Sequence, residues 1–308
     1  MLELTDLRAA SQLGPTAVTI GKFDGIHRGH QALINELISA ASAHNLTSAL
    51  VTFDRHPDAL LNPANLKWPL IGPRQKANLI ADLGVDALLT LQFDEALAAQ
   101  PAADFIQEKL VDSLNAKIVI VGEDFRFGAG GQGDVDLLHE LGQQLGFEVR
   151  VIPSATEDGL KVSTSVIREL LDRGDVAGAA KLLGRVHTTV GVIEHGLKIG
   201  RTIGFPTANM SRDAEGYLPL DGVYAGWLVV DGVKHPAAHS VGINETFQAV
   251  PRLVESHVLD RKDLDLYDKV VTLEYVDFIR PSAKFNGVEA LVDEINRDLD
   301  KMRVILGL

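Results

Sequence analysis

The stretch that most constrains this chain is residues 16–31, TAVTIGKFDGIHRGHQ. Its β-rich apolar run over 16–20 reads as a buried strand, breaks at Gly21, and gives way after His30 to Leu33, Ile34, Leu37 and Ile38 at helical spacing. A strand, a glycine turn and a helix start leave unpaired N–H groups at the positive end of a helix dipole, a ready place for an anion. His27 and His30 frame Gly29, which lets a nucleotide approach the backbone closely. Two imidazoles so placed can both donate to one triphosphate whose oxygens gain charge as the leaving pyrophosphate departs. The plainer reading is that the pair caps a helix or binds a metal.

The alternation begun here continues. Residues 49–53, 87–91, 117–121 and 148–152 read as short strands, and 32–43, 74–83, 102–114 and 135–145 as helices. Short apolar strands alternating with helices imply a parallel sheet covered on both faces, with ligands bound beyond the carboxyl ends of the strands. Each strand end is therefore a candidate site for chemistry. One runs TFDRHP, with His56 where the chain leaves the sheet; an ordinary turn role for it competes with a ligand contact. Another runs VGEDFRFGAGGQGD, a backbone-exposed glycine loop in which Phe125 and Phe127 offer flat faces on which a planar ring system could stack. Asp124 in this loop cannot donate to a phosphate and is expected to act through Mg²⁺ or a ribose hydroxyl.

Further on, KVSTSVIREL sets Ser163, Thr164 and Ser165 before an apolar periodic run, with Arg168 on the first turn. One hydroxyl serves as a helix N-cap. Three hydroxyls, N-terminal amides and a guanidinium make a second phosphate clamp.

A small helix over 175–183 ends at Gly184, and the texture then changes. Runs at 187–193, 223–230, 238–241, 252–259 and 270–278 read as closely spaced strands of an antiparallel barrel or sandwich, closed by an amphipathic helix over 286–306. The expected domains are 1–184 and 185–308. The second carries GRTIGFPTANM, where Gly204 and Pro206 set a turn and Thr207 and Asn209 place two hard oxygen ligands on one side, suited to Mg²⁺ on nucleotide phosphates. Glu255, in VESHVLD, is the candidate general base for phosphoryl transfer to an alcohol; a solvent-facing strand glutamate is the bland alternative.

Composition narrows the class. The chain has no cysteine, which excludes disulfides, thiolate metal sites and cysteine nucleophiles. Lys plus Arg number 29 against 42 Asp plus Glu, a net charge of −13 that argues against a nucleic-acid surface. MLELTDLRAA has no signal-peptide pattern and no stretch approaches a membrane span, so a cytoplasmic location without membrane partners is expected.

The run GKFDGIHRGH resembles the signature of nucleotidyltransferases with a histidine-glycine-histidine motif, and specifically of the bacterial bifunctional riboflavin kinases and FAD synthetases. TFDRHP is similar to that family's Phe-Asp-Pro-His-Pro run, with Arg55 for the first proline. GEDFRFG is similar to its Gly-Glu-Asn/Asp-Phe-x-Phe-Gly segment, and STSVIR to its Ser-Ser-Thr-x-x-Arg motif. GRTIGFPTANM matches the riboflavin kinase signature almost letter for letter. DGVYAG, GINETF, VESHVLD and DLDLYD follow in order, with Glu245 in place of a usual proline. The resemblance implies an α/β parallel-sheet, Rossmann-like nucleotidyltransferase domain followed by an antiparallel β-barrel kinase domain with a C-terminal helix. It implies ATP as co-substrate with Mg²⁺, and riboflavin, FMN and FAD as ligands. It places His27, His30, Arg168 and Glu255 in catalysis. Gly21, Phe23, Asp24, Gly29, Asp124, Ser163, Thr164, Ser165, Gly200 and Gly204 would contact nucleotide, Phe125, Phe127, His56 and Asn244 flavin, and Thr207 and Asn209 the metal.

Overall fold

The computed structural model describes residues 1–195, 200, 203–242, 252–261 and 264–308. Their contacts divide them into two units, Met1–Pro69 with Pro73–Val162, and Leu70–Gly72 with Ser163–Leu308.

The first unit is built on a six-stranded sheet in the order β1-β4-β3-β2-β5-β6, parallel at every pairing. The strands are β1 (Leu2–Leu4), β2 (Thr16–Ile20), β3 (Thr47–Phe53), β4 (Ala87–Leu91), β5 (Ala116–Gly122) and β6 (Glu148–Ile152). All five residues of β2 are buried, as a central strand covered on both faces requires. Helices α1 (Leu7–Ala10), α2 (Arg28–His44), α3 (Asp58–Leu61), α4 (Pro73–Asp82), α5 (Glu95–Ala98), α6 (Ala102–Phe105) and α7 (Val135–Leu145) fill the connections. Residues Ile106–Asp112 continue α6 as a π-helix, where a single α-helix was expected. α2 buries Ile34, Leu37, Ala40 and Ala41 and stops at Asn45, whose left-handed φ of 53° turns the chain into β3.

The chain winds from β2 through β3 to β4 on one side, then returns to place β5 on the other side of β2. The carboxyl ends of β2 and β5 therefore flank the switch point of the sheet, where open α/β sheets bind ligands. Those two ends carry the loops 21–27 and 123–134. A small hairpin, β7 (Thr156–Glu157) with β8 (Leu160–Lys161), completes the unit.

In the second unit, α8 (Thr164–Asp172) and α9 (Val176–Leu183) precede a closed antiparallel barrel, order β10-β13-β12-β11-β14-β9, so of the two sheet architectures expected the barrel is found. Its strands are β9 (His187–Glu194), β10 (Ala208–Met210), β11 (Gly222–Val230), β12 (Val233–Gly242), β13 (Leu253–Val258) and β14 (Val270–Pro281), and α10 (Val288–Leu306) follows. α10 lays Leu299 and Met302 against Ala225, Leu259 and Phe205 on the barrel's outer face. The barrel interior is partly polar. Thr189 and Tyr275 hydroxyls pair at 3.0 Å, and His239 shares a 2.9 Å hydrogen bond with Ser256. At Gly226 a Cβ would lie 2.6 Å from the His239 ring, so only glycine admits this histidine.

Candidate active sites

In the first unit, the loop after β2 is held in an uncommon conformation. Phe23 and Ile26 adopt φ of 47° and 41°, and Gly25 lies between them at 87°. A β-branched residue there is strained, and such strain persists only where packing over-determines it. Phe23 and Ile26 are each 1% exposed, so the core supplies that constraint. Gly21 is required by the same fold, since a Cβ would come within 3.2 Å of the Phe23 ring.

The loop delivers His27 as the N-cap of α2, where its Nδ1 accepts the His30 backbone N–H at 3.3 Å. A nitrogen that accepts carries no proton, so the neutral ring keeps its proton on Nε2. The capping reading of the histidine pair therefore holds for one nitrogen of His27 and leaves the other as a donor. A Cβ on Gly29 would stand 3.2 Å from the His27 ring, so this glycine also gives the imidazole room. The His27 and His30 rings stack with centroids 3.7 Å apart and 13° between planes. His30 Nδ1 is buried and has no hydrogen-bond partner among the described residues. Burial, then the neighbouring His27 and Lys76, hold the His30 imidazole well below its usual pKa. Lys76, on α4, is itself pushed down by burial, with the Asp24 carboxylate partly offsetting this. Its ammonium donates to the Lys22 carbonyl at 3.0 Å. Three nitrogen bases crowded in a half-buried pocket, two of them held below their ordinary pKa, form a site that gains by taking up an anion. Lys76 was missed in sequence because nothing local marks it; its place comes from α4 folding back against the β2 loop.

The loop after β5 differs from the flexible glycine wrap expected. Phe127 and Gly133 exchange backbone hydrogen bonds of 3.1 and 2.9 Å, and a Cβ on Gly128 would lie 2.5 Å from the Ala102 backbone. The loop is packed, and Phe127, 5% exposed, belongs to the hydrophobic core. Its ring lies 5.3 Å from that of Phe125 at 19°, so Phe127 backs Phe125 and offers no free face for a flavin. Asp124 is exposed and 3.4 Å from Lys161. His56 accepts the Asp58 N–H at 3.2 Å, the ordinary turn role weighed for it.

In the second unit, Ser163 is the N-cap of α8, accepting the Val166 N–H at 3.4 Å, with Thr164 and Ser165 in the first turn. Arg168 is 8% exposed, its guanidinium carbon 5.7 Å from the centre of the Tyr217 ring.

On the barrel, the described part of this run, Gly200 and 203–210, includes a turn that leads into a strand. Phe205 donates to the Gly200 carbonyl at 2.8 Å, a Cβ on Gly200 would collide with the Phe205 carbonyl, and Gly204 has φ 91°. β10 then pairs Asn209 opposite Glu255 on β13. Thr207, two residues before Asn209, donates its hydroxyl to Glu255 Oε2 at 3.2 Å. His257, on the same face of β13 as Glu255, bonds the Pro206 carbonyl through Nδ1 at 2.8 Å and so pins the turn that bears Thr207. A hydroxyl, an amide and a carboxylate thus converge. Because the Thr207 proton points to Glu255, its lone pairs face outward, and the oxygen set suits Mg²⁺, which takes one or two protein oxygens beside phosphate and water. Asn244 and Glu245 lie outside the described residues.

The sequence model described as FAD synthetase matches residues 9–166, and that described as riboflavin kinase matches 183–306. A bifunctional riboflavin kinase/FMN adenylyltransferase of Escherichia coli K12 is 35% identical over 304 residues, covering 98% of this chain and 96% of its own. The chain belongs to the bifunctional riboflavin kinase/FMN adenylyltransferase family. Another family member, from Pseudomonas fluorescens, is 35% identical over 93% of this chain and 92% of its own. A Streptococcus pneumoniae structure described as a macrolide-efflux protein superposes with a TM-score of 0.89 at 31% identity, covering 98% of this chain and 99% of that one. Among the described residues no helix is long and apolar enough to cross a membrane. The two matched stretches meet the family's division of labour, whereas contacts assign 163–184 to the barrel unit.

Proposed function

We propose that this chain phosphorylates riboflavin to FMN from ATP and then adenylylates FMN from a second ATP, giving FAD and pyrophosphate. The observation that carries the reading is near full-length family membership with an FAD synthetase and a riboflavin kinase model matched in one chain.

In the first reaction the ribityl 5′-hydroxyl oxygen attacks the γ-phosphorus, the bond to the β–γ bridging oxygen breaks, and ADP leaves. Glu255 takes the hydroxyl proton, held for this by Thr207. Thr207 and Asn209 would hold Mg²⁺, which supplies charge neutralisation on the phosphates. In the second reaction an FMN phosphate oxygen attacks the α-phosphorus of ATP and the α–β bridge breaks. His27 through Nε2, His30 and Lys76 stabilise the charge that gathers on the departing pyrophosphate. The FMN phosphate is already ionised at neutral pH, so this step needs no general base. Ser163, Thr164, Ser165 and Arg168 are assigned to phosphate binding in adenylylation on the chemistry of their segment, and Phe125 to the flavin. The reading includes a cytoplasmic location and catalytic divisions at 1–184 and 185–308.

Incubating the protein with riboflavin, ATP and Mg²⁺ and resolving products by chromatography tests the reading. Both FMN and FAD are expected. FMN alone, FAD alone from supplied FMN, or neither would reduce the chain to a single-step enzyme or a flavin carrier.

A further inference from the structure

Arg168 lies between the stretches matched by the two family models, and Tyr217 lies within the riboflavin kinase stretch. The two meet in the second unit. The Arg168 guanidinium sits 5.7 Å from the centre of the Tyr217 ring, within the range of a cation–π contact. The Tyr217 hydroxyl donates to Asp172 Oδ1 at 2.7 Å, one helical turn beyond Arg168 on α8. Its ring is thereby tied to the helix that carries the arginine.

The backbone of Tyr217 is fixed on both sides. Its N–H donates to the Leu70 carbonyl at 3.1 Å, and its carbonyl accepts from His187 Nε2 at 2.6 Å. The residues that follow are pinned too: Leu220 donates to the Leu171 carbonyl at 2.8 Å, and Arg252 bonds Asp221, the Leu218 carbonyl and the Pro219 carbonyl. Burial and the Asp172 carboxylate push the phenol up to about 12, so it stays protonated and keeps donating.

We propose that Tyr217 is a positioning residue for adenylyl transfer, holding the Arg168 guanidinium over its ring face so that the arginine meets the nucleotide phosphates in a fixed orientation. The proposal rests on the phosphate-binding role assigned to Arg168. It makes a residue encoded in the kinase stretch serve the other reaction. An arginine left to sample its rotamers would lose the directed fork that makes guanidinium superior to ammonium at phosphate.

Steady-state kinetics on the full chain test this with Tyr217→Leu, Tyr217→Phe, Arg168→Gln and the Tyr217→Leu/Arg168→Gln double variant. Tyr217→Leu is expected to lower kcat/KM for FAD formation from FMN roughly tenfold. Riboflavin phosphorylation should stay unchanged, Tyr217→Phe should recover most of the loss because it keeps the ring, and Tyr217→Leu should add nothing in the Arg168→Gln background. Tyr217→Met, of similar length and ringless, carries the same expectation should the leucine variant not fold. Full FAD formation in Tyr217→Leu beside an impaired Arg168→Gln overturns the positioning role alone. Additive losses, or equal loss of both activities in Tyr217→Leu and Tyr217→Phe, overturn it as well. Unimpaired FAD formation in Arg168→Gln overturns the underlying assignment of the arginine.

Discussion

His27 and His30 stack face to face, 3.7 Å between ring centres, at the start of the helix that follows the first buried strand of the parallel sheet. Two imidazolium rings would repel at that distance, so a charge on one ring disfavours a charge on the other.

Replacing either ring removes a donor aimed at charge that develops in the transition state. His27→Ala or His30→Ala should cut FAD formation from FMN roughly a hundredfold to a thousandfold, leaving FMN formation from riboflavin intact. Assaying both reactions on one preparation separates this from unfolding, which would lower both.

The depressed pKa of His30 has a sign that can be measured. Burial, His27 and Lys76 keep it neutral near pH 7, and a polyphosphate bound against it favours the charged form. Binding of pyrophosphate should therefore take up protons. Calorimetry in buffers of different ionisation enthalpy reads this directly; no uptake, or release, would mean that the anion sits elsewhere.

Acid should weaken the barrel through His187 and His239, both pushed down to about 4 chiefly by burial. Above pH 6.5 neither the folded nor the unfolded chain binds a proton at these rings. Between 6.5 and 4 only the unfolded chain does, so stability falls as pH falls, by on the order of 3 kcal/mol per histidine. Denaturant unfolding followed through Trp227 on β11, in a Trp68→Phe background, should show the midpoint dropping across that window.

Contacts place α8 and α9 with the barrel, and α9 buries Val176, Ala179, Leu182 and Leu183. A fragment beginning at Ser163 should phosphorylate riboflavin and make no FAD. One beginning at Arg185 removes those buried side chains and should unfold at lower temperature, which circular dichroism would register.

Much of this was legible in the sequence where local pattern and chemistry coincide. The apolar run of β2, the glycine break and the helical stripe on α2 announced the strand–turn–helix junction that bears His27 and His30, and the change of texture after Gly184 announced the barrel. Three-residue strands such as β1 and β10 are too short for a period to declare itself. Phe125 and Phe127 read alike as aromatic faces, and only the packing against Gly133 shows that Phe127 is core. Gly29 has the sequence look of a nucleotide cradle, yet its neighbour is the His27 ring. Lys76, His257 and Tyr217 act through partners far away in the chain, which single-sequence pattern does not reveal.

Two separate sites acting in series within one chain predict complementation between variants of different sites, which a mixing experiment reads. Glu255→Gln keeps the shape of the base without its proton affinity and should slow riboflavin phosphorylation roughly a hundredfold to ten-thousandfold while still converting added FMN to FAD. His30→Ala should accumulate FMN and make little FAD. Supplied with riboflavin, ATP and Mg²⁺, each variant alone should fail to make FAD at a normal rate, and the two mixed should restore it. If Glu255→Gln still phosphorylates riboflavin at the wild-type rate, or if the mixture makes no more FAD than its parts, the account is wrong.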